Sequence, residues 1–384
     1  MKIAVNTRFL IKDRMEGIGR FTFEVLKRLV EQHPEHEFIF FFDRPYHDSF
    51  VFGPNVTPIV LTPPARHPLL WWWWFEMALP RALRKHQPDI FLSPDSYLSL
   101  RTKVKTLLVS HDIAFEHFPE QVPWLARQYY RYFMPRYHRR ADHIISVSSF
   151  VKKDLINQYK IPGEKIDVAC NGCSNTFRPL TATEKEKVRT QYADGQEYFF
   201  YVGAVQPRKN VHGLITAFDR FKKRTNSPVK LLIAGRFGWQ TGPVKTAYDN
   251  ARYKDDIVFL GYVDDQALPG LMGSAIALTY VSFFEGFGIP LLEAMHAEVP
   301  VITSYNTGMK EVIGSAGKLV DPNITDQIAI TMQLLYEDPA DQQRLINKGK
   351  EQRQKFSWEK ATDIVYNGIE KVVGKSLTRS EVTQ

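Results

Sequence analysis

Phe283 to Met295 reads F-F-E-G-F-G-I-P-L-L-E-A-M and follows the apolar run A-I-A-L-T-Y, Ala275 to Tyr280. The run predicts a buried strand, and Pro290 stands where a helix can begin, with Leu291, Leu292, Ala294 and Met295 continuing it. The reading is therefore strand, glycine loop, helix. Gly286 and Gly288 let backbone approach a ligand closely, and the amides of Ile289, Leu291 and Leu292 at the helix start would face an anion such as a phosphate. Glu285 in the loop and Glu293, expected in the first helical turn, flank those amides and can accept hydrogen bonds from the hydroxyls of a sugar or ribose. The plainer reading, a helix-dipole partner at Glu293 and a solvated Glu285, is open on these residues alone.

The chain has 384 residues, 44% of them hydrophobic, which is enough for two domains with large cores. Met1 to Asn6 already reads as a strand, so no leader is expected, and no apolar run approaches the roughly 20 residues of a spanning helix. A cytoplasmic protein is expected. Cys170 and Cys173, in C-N-G-C, argue against a disulfide scaffold and cannot complete a four-ligand zinc site by themselves. The net charge of +8 is uneven: residues 1–180 hold 25 Lys/Arg against 18 Asp/Glu, and the remainder 25 against 24. A basic first half suits a nucleic acid, an anionic membrane or a phosphorylated acceptor.

The first half alternates strand-like and helix-like segments: K-I-A-V-N, a helix from about Arg20 to Gln32, E-F-I-F-F-F, V-T-P-I-V-L, D-I-F-L-S, V-K-T-L-L-V-S and H-I-I-S-V. That pattern predicts a doubly wound parallel α/β sheet, whose ligands collect beyond the carboxyl ends of the strands. Two positions there carry suitable residues. E-G-I-G-R places Gly17 and Gly19 before a helix, and His111-Asp112 follows V-K-T-L-L-V-S. His111 reads as a sugar-hydroxyl donor, a proton carrier or a satisfied strand-end histidine; Asp112 reads as a capping or orienting residue rather than a reacting one. Four tryptophans, Trp71 to Trp74, occupy one helical turn and cannot all face one core. Trp124 to Arg140 interleaves aromatics with arginines, as an ordinary packing helix or one at a membrane interface does. No nucleic-acid motif accompanies them, and no nucleic-acid partner is expected.

Asn171-Gly172 supplies a turn, and Pro179 followed by T-A-T-E-K-E-K opens a new unit, so the domain boundary is read near residue 178. The second half restarts the alternation with E-Y-F-F-Y-V. Gly203 and the loop A-V-Q-P-R-K-N then place Arg208 and Lys209 at a strand's carboxyl end, where two cations can neutralise a departing diphosphate. V-K-L-L-I-A-G-R brings Gly235, I-V-F-L-G-Y-V brings Tyr262-Val263, and residues 361–384 read as a helix with a frayed tail from Ser376.

E-G-F-G-I-P-L-L-E resembles the Glu-x7-Glu motif of the retaining GT-B glycosyltransferases of family 4. The N-terminal glycine loop, Y-V-G-A-V-Q-P-R-K-N and F-S-W-E-K are similar to that family in the same order, over nearly the whole chain. The resemblance implies two Rossmann-like domains, 1–178 on the acceptor side and 179–360 binding the nucleotide sugar, facing a cleft, with the C-terminal helix crossing back to the first. It implies a donor site of Gly17, Gly19, Gly203, Gly235, Val263, Gly286, Phe287, Gly288, Ile289, Pro290, Leu291 and Glu293, the last on the ribose, with His111, Arg208, Lys209 and Glu285 as the catalytic group. Gly308 and Glu311 resemble the family's last donor-side loop. Ala297-Glu298 departs from the family, where small pairs such as Ala-Gly are usual.

No DxD-type motif stands in a loop, so transfer is expected to be metal-independent, with a nucleotide sugar, GDP-mannose or a UDP-sugar, as co-substrate and a glycan or lipid-linked acceptor in polysaccharide or lipopolysaccharide assembly. Peripheral contact with an anionic membrane is a further expectation. A GT-B epimerase or phosphorylase and a nonenzymatic sugar-nucleotide or membrane-interaction module are the alternatives.

Overall fold

The computed structural model describes residues 1–12, 15–238 and 241–380. They form two compact units: Met1–Asn171 together with the chain from Ser357 onward, and Gly172–Phe356. The chain thus crosses at Asn171-Gly172, ahead of the boundary read near 178. Residues before Pro179 belong to the second unit because they pack there: the Arg178 carbonyl and the Leu180 side chain lie against Gly273, and Phe177 is buried. The return falls between Phe356 and Ser357 rather than after 360. The Phe356 ring meets Phe287 at 5.7 Å, whereas Trp358 meets Phe21 of the first unit at 6.1 Å.

The first unit is built on seven strands: β1 Lys2–Asn6, β2 Glu37–Phe42, β3 Val56–Val60, β4 Ile90–Ser93, β5 Lys105–Ser110, β6 His143–Ser146 and β7 Ile166–Val168. Their order is β3-β2-β1-β4-β5-β6-β7, with every pair parallel. A parallel sheet is covered on both faces, which is why β2 reads as an unbroken apolar run and buries every residue after Glu37. Pro58 is tolerated because β3 is an edge strand. The helix Gly17–Gln32 begins earlier than the sequence suggested, so Gly17 and Gly19 form its first turn rather than precede it.

The C-terminal helix Trp358–Ser380 packs on the helix Gly17–Gln32 and on β5, burying Ala361, Val365, Ile369 and Val372, one face of a 3.6-residue repeat. Arg28 Nε donates to Glu359 Oε1 at 3.1 Å, and Tyr366 stacks on His33 at 3.7 Å. The expected frayed tail is helical as far as Ser380, and 381–384 lie outside the described residues. The four tryptophans divide as their spacing requires. A π-helical turn, Trp74–Ala78, separates the helices Pro68–Trp73 and Leu79–His86; Trp74 is fully buried, Trp71 half-buried, and Trp72 and Trp73 exposed.

The helix Trp124–Arg140 packs Tyr129, Met134, Tyr137 and His138 inward. His138 ties this helix to the end of β5. Its Nδ1 meets the Met134 carbonyl oxygen at 2.7 Å, and because that oxygen can only accept, Nδ1 carries the proton and Nε2 accepts from the Ser110 hydroxyl at 3.0 Å. Burial pushes the imidazole down to about 4.

The second unit has six strands: β8 Tyr198–Val202, β9 Lys230–Ala234, β10 Ile257–Gly261, β11 Ala277–Tyr280, β12 Val301–Ser304 and β13 Lys318–Val320. All are parallel in the order β10-β9-β8-β11-β12-β13. Strand order reverses between β8 and β11, as it does between β1 and β4 in the first unit, and ligands of open α/β sheets bind beyond the strand ends at such a reversal. The departure at Glu298 has a backbone cause. Its φ of 56° is left-handed, a conformation glycine adopts without strain, and Glu298 holds it with an ion pair to Lys350 at 2.9 Å.

Two predictions follow from these placements. Glu298→Val should cost about 1–2 kcal/mol in urea denaturation, because a β-branched residue resists positive φ, while Glu298→Gly should stay within about 1 kcal/mol of the parent. His138 has a folded value near 4 against an ordinary 6.5, so its contribution to stability is complete above pH 6.5 and lost as pH falls towards 4. His138→Gln should therefore flatten the pH dependence of the denaturation midpoint across that interval.

Candidate functional site

The reversal between β8 and β11 brings the chemistry of the second unit together. Beyond β8 the chain turns through Gly203 into the short helical turn Pro207–Lys209, which presents Arg208 and Lys209. Beyond β11 lies the loop of Glu285. The Phe283 amide donates to the Arg208 carbonyl at 2.9 Å, so the two loops are joined through backbone before any side chain takes part.

Glu285 is 7% exposed and lies between both cations. Lys209 Nζ donates to its Oε1, and Arg208 Nη1 stands 3.3 Å from its Oε2 while also donating to the Phe284 carbonyl. Tyr280, the last residue of β11, completes the cluster: its hydroxyl accepts from Lys209 Nζ at 2.8 Å and donates to Glu285 Oε1 at 3.1 Å. Burial alone would raise the Glu285 carboxyl, but the Lys209 and Arg208 charges and the hydrogen bonds from Lys209 and Tyr280 outweigh it and hold the group at about 2. Burial, with the Glu285 charge, raises the Tyr280 phenol well above its ordinary value, so it stays a neutral donor. The three ionised groups sum to one positive charge. At neutral pH this cluster can hold an anion and accept a hydroxyl hydrogen bond, and Glu285 cannot serve as a proton donor.

The helix after the loop runs Ile289–His296, with Pro290 in its first turn and Gly288 as N-cap at φ 94°. Only glycine takes that conformation without strain, and Gly288 itself makes no side-chain cap bond to the helix start. Two expectations change here. Glu293 is the fifth helical residue and lies beyond the first turn, because the helix starts at Ile289; and the Leu291 amide is not available to a ligand, since it donates to the Gly288 carbonyl at 3.0 Å. The loop is braced from the far side, where the Gly308 amide donates to the Glu285 carbonyl at 3.0 Å and Thr307 Oγ1 accepts from the Glu285 amide at 3.4 Å.

Gly203 and Gly235 meet at the ends of β8 and β9: the Gly203 amide donates to the Ala234 carbonyl at 2.9 Å, and a Cβ on Gly235 would lie 1.9 Å from the Gly203 oxygen. Val263 is half-buried just beyond β10, Phe287 is buried against Phe356, and Glu293 is half-buried.

In the first unit, His111 and the glycine helix come together, the imidazole lying edge-on to Phe21 at 5.2 Å. His111 Nε2 meets the Pro94 carbonyl at 2.8 Å and so carries the proton; burial lowers the imidazole below its ordinary value, leaving Nδ1 an acceptor at neutral pH. Asp112, one residue ahead of the N-cap Ile113, accepts from the Ala114 amide at 3.1 Å.

Three polar residues at strand ends escaped the sequence reading. Tyr280 looked like the end of a core strand, and only its place at the strand reversal marks it. Arg8 and Asp95 form a buried ion pair, Nε to Oδ2 at 2.5 Å, beyond the neighbouring strands β1 and β4, with the Arg8 guanidinium 4.0 Å from the Tyr97 ring centre. The signal was an arginine two residues past the first strand, in N-T-R-F, opposite S-P-D-S.

Two family models cover most of this chain: Glycosyl transferases group 1 over residues 182–352 and Glycosyltransferase Family 4 over residues 15–175. O-antigen chain mannosyltransferase B of Escherichia coli is 31% identical over 372 residues, covering 93% of this chain and 96% of that protein. The chain belongs to glycosyltransferase family 4. O-antigen chain mannosyltransferase RfbU of Salmonella typhimurium is 28% identical over 275 residues, covering 72% of this chain and 73% of that one.

Among solved structures, HepE of Anabaena in complex with UDP-glucose superposes with a TM-score of 0.77 at 17% identity, over 97% of this chain and all of that one. WaaG, a glycosyltransferase involved in lipopolysaccharide biosynthesis, gives 0.75 at 16%, over 94% and 99%. This family 4 member is a nucleotide-sugar-dependent glycosyltransferase with the GT-B fold, and its Lys209–Glu285–Arg208 cluster lies in the unit matched by the group 1 model.

Tyr280→Phe removes one hydroxyl from the cluster and leaves the charges in place. It should fold normally and lower kcat by roughly tenfold, consistent with the loss of one hydrogen bond to charged partners. Glu285→Ala should lower kcat by about a hundredfold or more. Steady-state kinetics on both variants checks the order.

Proposed function

We propose that the protein is a retaining, metal-independent hexosyltransferase that moves mannose from GDP-mannose to a glycan or lipid-linked acceptor in polysaccharide assembly, in the cytoplasm at the inner face of a membrane. The observation that carries this reading is the cluster at the β8/β11 reversal, two cations on one ionised carboxylate, in the loop that leads to the glycine-capped helix starting at Ile289. In this reading Arg208 and Lys209 take the diphosphate with the amide of Ile289, and neutralise the charge that builds as it leaves, the part a divalent cation plays elsewhere. Glu285 accepts from a sugar hydroxyl and Glu293 from the ribose; Gly203, Gly235 and Val263 edge the nucleobase, and Gly286, Phe287, Gly288, Pro290 and Leu291 shape the diphosphate loop.

From the first unit, Gly17 and Gly19 are assigned to the donor or acceptor side and His111 to the donor sugar, through Nδ1. No carboxylate is assigned as a nucleophile: the acceptor attacks the face from which the diphosphate departs, which retains configuration. Mannose is favoured because the relatives at 31% and 28% identity are named as O-antigen mannosyltransferases. A UDP-sugar is the second donor reading, favoured by the UDP-glucose complex of HepE.

A thermal-shift screen of GDP-mannose, UDP-glucose and TDP-sugars separates the two. The preferred donor at about a hundred times its Kd should add about 2.7 kcal/mol and raise Tm by a few degrees. Transfer should persist in EDTA, and NMR of the product should give the donor's anomeric configuration. An inverted product or an EDTA-sensitive rate would remove that part of the reading.

A further inference from the structure

We propose that His33, Glu35 and His36 form a binding site for one divalent transition-metal ion, with zinc the ion their chemistry favours. The three residues lie between the end of the helix Gly17–Gln32 and the start of β2, at the amino ends of β1 and β2 and so at the opposite edge of the first sheet from His111. The site is separate from the transfer chemistry and does not rest on the proposed function.

The segment H-P-E-H, His33 to His36, is a turn with a histidine at each end. The His36 amide donates to the His33 carbonyl at 3.1 Å, and Pro34, in the second position, supplies the φ that such a turn needs. Asn55, the residue before β3, holds the turn from outside, its Nδ2 reaching the His33 and His36 carbonyls at 3.3 and 3.1 Å. Tyr366 of the C-terminal helix covers it, with its ring stacked on His33 at 3.7 Å and its hydroxyl 3.1 Å from His36 Nε2. Backbone and rings are therefore positioned by groups remote in sequence, the outer support that ligand residues need.

Glu35 Oε1 lies 3.2 Å from His33 Nδ1 and 3.5 Å from His36 Nε2, and the three residues bring one ligand atom each within 4.8 Å of one another. A tetrahedral ion with bonds of about 2.0–2.1 Å holds its ligand atoms about 3.3–3.4 Å apart, so two of the three edges already have nearly that length. Two imidazoles and one carboxylate select zinc and its first-row neighbours over magnesium or calcium, which prefer oxygen throughout, and water takes the fourth position. The two imidazoles stand 11° from parallel with centroids 5.5 Å apart, so His33, the less buried of the pair, turns to bring its lone pair onto the ion. With Nε2 of His36 on the ion, the ring hydrogen sits on Nδ1 and the Met1 amino nitrogen, 3.3 Å away, is its acceptor; uptake of the ion therefore releases a proton. The bound ion braces the turn that leads from the helix Gly17–Gln32 into β2, beneath the C-terminal helix.

Titration of the metal-stripped full chain, free of any histidine tag, with Zn2+ by calorimetry and with Co2+ by visible absorption tests the site. One equivalent of Zn2+ should bind and raise the melting temperature, and Co2+ should give the absorption of a tetrahedral centre, bleached when Zn2+ displaces it. His33→Ala and Glu35→Gln should each weaken Zn2+ binding by roughly tenfold or more. Glu35→Gln, at an exposed position, should leave the metal-free melting temperature at the parent's value, so it carries the test should His33→Ala melt early. Cys170→Ser/Cys173→Ser should leave Zn2+ binding unchanged. Absence of stoichiometric binding, binding unaltered by His33→Ala and Glu35→Gln, or binding abolished in the cysteine pair would each overturn the proposal. Metal binding needs neither donor nor acceptor, so its failure is distinguishable from failure of the transfer reading.

Discussion

A carboxylate buried between two cations is the interaction on which the second unit's site depends. Glu285 is costly to bury alone, and Lys209 and Arg208 are equally costly without it. Each of the three therefore holds the others in place, and Tyr280 locks Lys209 and Glu285 to one another through a single hydroxyl. The cluster is pre-organised, charged and one positive unit out of balance, a state that favours an anion.

That arrangement exists because of strand order. β8 and β11 are neighbours in the sheet although 74 residues separate the end of one from the start of the other, Val202 to Ala277. Their carboxyl ends deliver the P-R-K-N loop and the E-G-F-G loop side by side. The first unit repeats the device with β1 and β4, where Arg8 and Asp95 pair beyond the strand ends and His111, one strand further on, leans on the Pro94 carbonyl. His111 and His138 show how context divides one residue type: both lose basicity by burial, but His138 has both ring nitrogens bonded inside the fold, to Met134 and Ser110, and serves packing.

The aromatic-rich segments of the first unit follow a similar division. Trp71 and Trp74 each satisfy an indole N–H on a backbone carbonyl, Ala65 at 2.9 Å and Leu61 at 3.2 Å, while Trp72 and Trp73 contribute exposed ring area beside Arg101. One helical turn thus supplies both core and surface.

The sequence by itself determined the strand–glycine–helix element at Phe283–Met295, the alternation of buried strands and helices, and the residue types of the candidate site. Those are local matters of periodicity, turn chemistry and motif spacing. It also marked Glu298 as out of place, although the reason, a left-handed backbone, was visible only in three dimensions. Only the tertiary structure decided that Arg208, Lys209, Glu285 and Tyr280 share one hydrogen-bonded cluster, that Leu291 spends its amide on Gly288, that Glu293 lies past the first turn, and that the chain crosses at Asn171-Gly172. The cluster and the crossing depend on which distant segments pack together, while the placements of Leu291 and Glu293 follow from the backbone conformation at Gly288, which sets where the helix starts.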